Sequence, residues 1–239
     1  VVPGSFTYQR FLEQLEGGNV YCLYNLNADG TVGFILFDAD LFPRPGPGAR
    51  WDELIPKLRA KKEQVISLTQ ALGKLGITEE QILVEFPTVG FHVVLAFEKP
   101  LPVRKVKAFA RLARERAGLT YELPFYPHEV CGYGDRVLLP LRRNENTGRR
   151  SNFVRNFAGF DPAAHDETPD FLPLAQVQLI GPDVIEKAVE ANNSKAYERV
   201  ARIEEAPPPG ATALVLYRGE RVLLVNQDGH YHALSELCP

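Results

Sequence analysis

Two aspartates, Asp38 and Asp40, follow an almost wholly apolar run at residues 32–37. Side chains at i and i+2 of a β-strand point to the same face, about 6.5 to 7 Å apart along the strand. Carboxylates in such a setting are costly unless cations neutralise them. Hard oxygen ligands suit Mg²⁺ or Mn²⁺, and a pair of such ions serves in-line phosphoryl transfer. The pattern predicts a metal site, although Asp-x-Asp also occurs in sugar-nucleotide transferases, nucleases and plain loops.

A histidine, His92, opens the next apolar run, two residues after Gly90. A histidine beside a metal and its carboxylates can donate a hydrogen bond to a triphosphate oxygen. The glycine would allow a close approach of the backbone to the ligand. We therefore expect His92 to bind nucleotide. The alternative is a histidine that only packs in the core, which is the commoner role at the start of a strand.

An arginine-rich loop follows the sequence Leu-Pro-Leu at residues 139–141 and contains Arg142, Arg143 and Arg149. Guanidinium groups match the geometry of phosphate oxygens and can bind them through two hydrogen bonds. We predict that these three arginines bind the nucleotide triphosphate.

Positive charge is concentrated in two segments, although the net charge of the chain is -3. Residues 103–117 and residues 136–155 each hold six basic side chains and one acidic side chain. Such a concentration is typical of a protein with one side that faces a polyanion. In the first segment, apolar residues at helical spacing leave the cations on the other face, so we expect DNA contacts from Arg104, Lys105, Lys107 and Arg111. A helix face that is merely solvated is the alternative.

The elements that would position these residues are those of an α+β domain. Helical spacing predicts helices at residues 5–16, 51–75 and from residue 103, and apolar runs predict strands at residues 20–26, 32–37, 82–86, 91–97 and 136–141. The Asp-Gly turn at residues 29–30 favours a hairpin between the first two strands.

The remainder of the chain is predicted to add smaller parts. We expect a catalytic domain at residues 1–180, a helical tail at 181–204, a Pro-rich linker at 205–210 and a small β unit at 211–239. The sequence has no methionine, even at position 1, so we expect it to be part of a longer chain. With no apolar run of membrane-spanning length and only three, widely spaced cysteines, we expect a cytoplasmic protein that does not contact membranes.

The order of these motifs resembles that of the archaeo-eukaryotic primases over residues 5–180. Among them, the sequence is most similar to the primase domains of TOTE conflict systems and to CRISPR-associated primase-polymerases. The matching segments are Asn19-Val20-Tyr21, Phe37-Asp38-Ala39-Asp40, Glu85-Phe86-Pro87-Thr88-Val89-Gly90-Phe91-His92-Val93-Val94 and Leu139-Pro140-Leu141.

The resemblance implies an RRM-like palm, Mg²⁺ or Mn²⁺ as cofactor, and nucleotidyl transfer onto a strand paired with a DNA template. It assigns Asp38 and Asp40 to the first metal-binding motif and His92 to the nucleotide-binding motif. The implied partners are primer and template DNA, nucleoside triphosphates, and further domains or proteins of a CRISPR or conflict system.

The third motif departs from the family pattern, which has a third aspartate after Leu-Pro-Leu. The corresponding segment, residues 151–157, contains no aspartate, and its nearest counterpart is Asn156. Asp161 or Asp135 could supply the carboxylate instead. An asparagine oxygen can bind a metal but carries no charge. Two alternatives therefore accompany the primase-polymerase hypothesis: a catalytically weakened primase fold that binds primer-template DNA for a partner enzyme, and a metal-dependent nuclease.

Overall fold

A computed structural model describes residues 8–16, 22–119, 123–127, 136–193, 206–217, 220–228 and 230–235. The chain divides into two units, Val1–Asn192 and Asn193–Pro239. The predicted α+β class is confirmed, since the first unit combines helices with a five-stranded antiparallel sheet. Among the residues described, no helix combines the length and the hydrophobicity that crossing a membrane requires.

Most helices and strands of the first unit lie close to their predicted positions, whereas the strands at Phe125–Tyr126 and Asn152–Phe153 and the helix at Leu172–Gln176 were not predicted. In chain order the helices and strands are α1 (Tyr8–Leu15), β1 (Cys22–Tyr24), β2 (Thr31–Asp38), α2 (Trp51–Lys74), β3 (Leu83–Phe86), β4 (His92–Pro102), α3 (Val103–Ala117), β5 (Phe125–Tyr126), β6 (Arg136–Leu138), β7 (Asn152–Phe153), α4 (Leu172–Gln176) and α5 (Pro182–Asn193). Short 3-10 helices lie at Glu79–Gln81 and Pro162–Ala164.

The main sheet has the strand order β5-β2-β4-β3-β7, with every neighbouring pair antiparallel. Its register places Asp38 opposite His92, His92 opposite Glu85, and Glu85 opposite Phe153. Residues paired directly across a sheet share one face. These four side chains therefore form a row across β2, β4, β3 and β7.

The opposite face of the sheet is covered by α2 and α3. Alternate residues of β2 and β4, such as Phe37 and Leu95, are fully buried in the same cluster as Leu58 of α2 and Phe109 of α3. The apolar residues of α2 follow helical spacing because one stripe of the helix must meet the sheet. We call this the helix face, and the face that carries the row of Asp38, His92 and Glu85 the acidic face.

The acidic face is covered in part by α1 and by the segment that follows β6. Leu83, Leu141 and Phe153 form a small buried cluster there, against which Leu15 packs. The side-chain amide of Gln14 donates to the carbonyl oxygens of Leu139, at 3.2 Å, and Pro140, at 2.7 Å. These contacts hold the Leu-Pro-Leu segment beside the sheet.

The predicted hairpin between β1 and β2 is wrong. The turn itself forms, since the amide of Gly30 donates to the carbonyl of Asn27 and Gly30 has a φ of 77°. Nevertheless β1 pairs with β6, with Cys22 opposite Leu138. Both edges of β2 are already paired, with β4 on one side and β5 on the other, so the turn redirects the chain without closing a hairpin.

Helix α5 packs with the first unit. Ile185 of α5 is fully buried in the helix-face cluster, and Ile180, just before it, accepts a hydrogen bond from the amide of Glu98 in β4. The N-terminal part of the segment predicted as a helical tail thus contributes to the core of that unit.

The second unit is a three-stranded antiparallel meander at the predicted positions. Its strands are β8 (Thr212–Tyr217), β9 (Glu220–Gln227) and β10 (His230–Ser235), with β9 in the centre. The side chain of Asn226 is buried and donates to the carbonyl of Pro207, 2.8 Å away, which fixes the entry to the meander.

Candidate metal centre

Asp38 and Asp40 lie side by side where β2 ends. Asp38 is the last residue of the strand and is only 7% exposed, and its Oδ1 accepts a hydrogen bond of 3.0 Å from the amide of Asp40. Ala39, between them, is buried in the helix-face cluster. The alternation predicted from the sequence therefore holds, and both carboxylates lie on the acidic face.

Gly90 is required for the position of Asp40. The segments on either side pair closely: the amide of Ala39 donates to Phe91 and the amide of Leu41 donates to Val89, both at 2.8 Å. A Cβ atom on Gly90 would lie 2.4 Å from the Cα of Asp40 and 2.5 Å from the carbonyl oxygen of Ala39. The close approach expected from this glycine is thus an approach to the backbone of the acidic motif itself.

His92 faces the two aspartates and is held from behind by Glu85. Its Nε2 lies 3.9 Å from Oδ1 of Asp40, and its Nδ1 lies 2.8 Å from Oε2 of Glu85. Glu85 belongs to the segment that carries the resemblance, but its role was not foreseen from the sequence. The pairing of β3 with β4 brings it next to His92, and only the register reveals this.

The donors of Asp38, Asp40 and His92 fit a divalent cation. One ligand atom from each of the three side chains lies within 4.8 Å of the others. Oδ1 of Asp40 is buried and has no hydrogen-bond partner in the part of the chain that the structure describes. A buried anionic oxygen without a partner is costly unless a cation neutralises it. The three side chains can therefore bind a metal ion.

The same proximity perturbs the protonation of the cluster. Burial, and then the negative charge of Asp38, raise the pKa of Asp40 to about 6, although His92 and Arg44 act in the opposite direction. Burial would lower the pKa of His92, but the hydrogen bond and charge of Glu85 and the charges of both aspartates outweigh it and raise this pKa to about 9. The cluster thus favours added positive charge.

Arg44 supplies part of that positive charge. Its Nη2 lies 3.0 Å from Oδ2 of Asp40 and 3.8 Å from Oδ2 of Asp38, while its side chain remains 65% exposed. The loop at residues 42–48, rich in proline and glycine, brings it back over the carboxylates. The sequence does not indicate the contact of Arg44 with the aspartates, since the composition of a loop does not specify where its side chains point.

A pocket of about 400 Å³ opens over the carboxylates and contains two of the three predicted arginines. Arg142 and Arg143 line it together with Asp38, Asp40, Arg44 and His92. Arg149 is not among the lining residues. Its guanidinium lies over the ring of Trp51, 4.3 Å from the centroid, and near Glu167.

Asn144 closes the arginine-rich loop against the pocket wall. Its Oδ1 accepts from the amides of Asn146 and Thr147, at 3.0 and 3.3 Å, and its Nδ2 donates to the carbonyl of Pro87, at 3.3 Å. The hydroxyl of Thr147 is hydrogen-bonded to that of Thr88 at 2.7 Å. The loop that carries Arg142 and Arg143 is therefore attached to the turn that precedes His92.

The structure does not bring Asn156 to the carboxylates. Phe157 packs into the helix-face cluster, with its ring 5.4 Å from that of Phe91, so the chain after β7 passes to the helix side. Asn156 is exposed there, and its Oδ1 accepts from the amide of Gly159 at 3.1 Å. Asp161 is paired with Arg59 of α2 at 2.9 Å. Asp135 lies outside the described residues.

The predicted DNA-binding cations of α3 also lie away from the pocket, because α3 covers the helix face. Arg104 and Arg111 are exposed, whereas Lys105 is paired with Glu186 of α5. Lys107 is half-buried. These residues do not meet Asp38 and Asp40, and DNA binding by α3 stays a prediction.

No known family model matches the sequence, and a search of the curated proteins finds no similar one.

Proposed function

We propose that the protein is a primase-polymerase, a metal-dependent nucleotidyltransferase that extends nucleic-acid strands on a DNA template. The observation that carries the proposal is the convergence of Asp38, Asp40 and His92 in one pocket with Arg142 and Arg143. Carboxylates for a divalent metal and guanidinium groups for a triphosphate are the two requirements of nucleotidyl transfer.

The connectivity of the first unit supports the primase part of the proposal. From β2 to β5 the elements follow the order β-α-β-β-α-β, and the four strands stand in the order β5-β2-β4-β3 with both helices on one face. This is the split β-α-β arrangement expected of an RRM-like palm. It puts Asp38 at the end of the first palm strand and His92 at the start of the third.

In this proposal Asp38 and Asp40 hold Mg²⁺ or Mn²⁺. The metal would neutralise the triphosphate and activate the attacking hydroxyl of the primer or of the first nucleotide. Arg142 and Arg143, which line the same pocket, bind the phosphates and stabilise the negative charge on the leaving pyrophosphate. Arg44 balances the charge of the aspartates from the open side.

An exposed aromatic residue next to the pocket suits a nucleic-acid strand. Phe42, two residues after Asp40, is 94% exposed. It lines a second pocket, of about 460 Å³, together with Lys57 and Lys61 of α2. An exposed ring beside cations can stack on a base while the cations contact phosphates. We propose this surface as the path of the strand nearest the metal, with α3 available for more distant template contacts.

The weakened binding module is the second candidate, and a specific observation favours it. Asn156 lies on the helix side, so the cluster of candidate metal ligands among the described residues consists of two aspartates and the histidine. Such a module would bind primer-template DNA and metal without adding nucleotides.

One gel assay tests the proposal against its alternatives. A labelled primer annealed to a longer template is incubated with Mn²⁺ or Mg²⁺ and with ribonucleotides, deoxyribonucleotides or no nucleotides. We expect extension that requires both metal and nucleotides. Shortening of the primer without nucleotides would favour the nuclease, and a shifted band on a native gel without any extension would favour the binding module.

A further inference from the structure

Glu85 is a buried acid with an unusual position behind the candidate metal ligand. It is 5% exposed, lies on β3 between β4 and β7, and faces His92 across the β3–β4 pair. Its Oε2 is 2.8 Å from Nδ1 of His92. A buried carboxylate with one specific partner fixes the orientation of that partner, because any other ring position would leave the charge without a hydrogen bond.

This contact determines which nitrogen of His92 faces the pocket. A neutral imidazole carries a proton on one nitrogen and a lone pair on the other. Because Glu85 holds the Nδ1 proton, a metal ion that binds His92 displaces the proton on Nε2, and the freed lone pair points toward Asp40, whose Oδ1 lies 3.9 Å away. A carboxylate that accepts the far N–H of a histidine is the usual support of metal-binding histidines.

We propose that Glu85 is a positioning residue that makes His92 Nε2 the third ligand of the metal, beside Asp38 and Asp40. A centre of two carboxylates and one imidazole has a nitrogen donor that Mg²⁺ disfavours, whereas Co²⁺ and Zn²⁺ bind such a site readily and Mn²⁺ binds it more weakly than they do. The protein then selects transition-metal ions over Mg²⁺. The inference rests on the metal-binding part of the proposed function and not on strand synthesis.

The competing role for His92 is that of a hydrogen-bond donor to a triphosphate oxygen. In that role Nε2 carries a proton and has no bond to the metal. Both roles use the same ring position, so loss of activity on changing His92 does not distinguish them. A spectroscopic signal from nitrogen bound to the metal does.

The experiment is pulsed electron paramagnetic resonance of Mn²⁺ bound to the full chain, without nucleotide, together with titrations of Mn²⁺ and Mg²⁺. The variants are His92→Ala and Glu85→Gln. The matched control is Glu145→Gln, which makes the same change at an exposed acid that lines the same pocket. Because the wild-type spectrum alone reports on the ligand, the test stands even if a variant does not fold.

We expect ¹⁴N coupling from an imidazole in the wild type and its loss in His92→Ala. Glu85→Gln should weaken Mn²⁺ binding about 10- to 100-fold, the usual effect of removing such a partner. Mg²⁺ binding should change much less, and Glu145→Gln should resemble the wild type.

Absence of ¹⁴N coupling in the wild type would overturn the inference, as would equal effects of Glu85→Gln and Glu145→Gln on Mn²⁺ binding. Failure here is distinct from failure of the proposed function. Primer extension without ¹⁴N coupling would support the primase-polymerase but show that His92 is not a metal ligand. Coupling without extension would support His92 as a ligand but argue against the primase-polymerase.

Discussion

The two faces of the main sheet are built from the same strands but have opposite chemistry. On the helix face, alternate residues such as Phe37 and Leu95 are fully buried against α2 and α3. On the acidic face, the residues between them include Asp38, His92 and Glu85 in a row. Strand alternation thus places most of the apolar packing on one face and this row of ionisable side chains on the other.

Charged side chains on the two faces also differ in how much they affect the free energy of folding. Around the helices, exposed pairs such as Arg59 with Asp161 contribute little to stability. At the metal centre, Asp38 and Glu85 are buried beside His92, where unbalanced charge is expensive. Removing one partner of the buried group should therefore cost more than breaking an exposed pair.

The largest effect is expected from changing both metal-binding aspartates. Asp38→Asn with Asp40→Asn removes two anionic oxygen donors but almost no volume. Primer extension should fall at least about 100-fold, since loss of one electrostatic stabiliser alone typically costs about 10² to 10³. Asp161→Asn, which removes an acid on the helix side, is the control and should extend primers like the wild type. Extension by the double variant above roughly one hundredth of the parent rate would refute the assignment of Asp38 and Asp40 as metal ligands.

Gly90→Ala should displace the backbone of Asp40 and so lower both stability and metal affinity. The added methyl group would meet the Cα of Asp40 at 2.4 Å, and backbone cannot move aside cheaply. We expect the free energy of unfolding to fall by about 2 to 3 kcal/mol and Mn²⁺ affinity to fall with it. Gly33→Ala on β2 is the matched control, because no atom lies within 4 Å of its Cβ position. Equal losses in urea unfolding for the two variants would show that Gly90 does not hold Asp40.

Asp40→Asn alone should stabilise the metal-free protein at neutral pH. Burial and the charge of Asp38 raise the pKa of Asp40 to about 6 from 3.8, so the folded state binds the proton more tightly than the unfolded state. The cost of the charged form is therefore absent near pH 4, grows as the pH rises and is complete above about pH 6.

The difference of roughly two pKa units corresponds to at most about 3 kcal/mol. Urea unfolding of both proteins in EDTA should show a more stable variant at pH 7.5 and similar stabilities near pH 4. A variant that is less stable at pH 7.5 would mean that Arg44 and His92 already balance the charge of Asp40.

The smallest effect is expected from Asn156→Asp. If this residue replaced the third aspartate at the metal, the change would strengthen both metal binding and synthesis. Because Asn156 is exposed on the helix side, we expect Mn²⁺ affinity to stay within about twofold, as for surface substitutions in general. A tenfold gain in affinity, measured by titration, would instead place this residue at the metal centre.

Much of the fold followed from local patterns in the sequence. The apolar run that became β2 and the helical spacing that became α2 predicted these elements closely. Asp38 and Asp40 share a face because side chains alternate along a strand, which needs no knowledge of tertiary structure.

What could not be predicted depends on contacts between distant segments. The partner of β1 is β6, because β4 and β5 occupy the edges of β2. Glu85 meets His92 only through the register of two strands, and Arg44 reaches Asp40 only through the closure of a loop. The position of Asn156 was likewise set by Phe157, whose burial takes the chain to the other side of the sheet.

The most direct measurement is an anomalous difference map at the manganese absorption edge, from crystals grown with Mn²⁺ and a non-hydrolysable nucleoside triphosphate. We expect a peak bound by carboxylate oxygens of Asp38 and Asp40, with the triphosphate held between that peak and Arg142 or Arg143. A peak on the helix side near Asp161 and Asn156, or a triphosphate bound outside this pocket, would contradict this expectation.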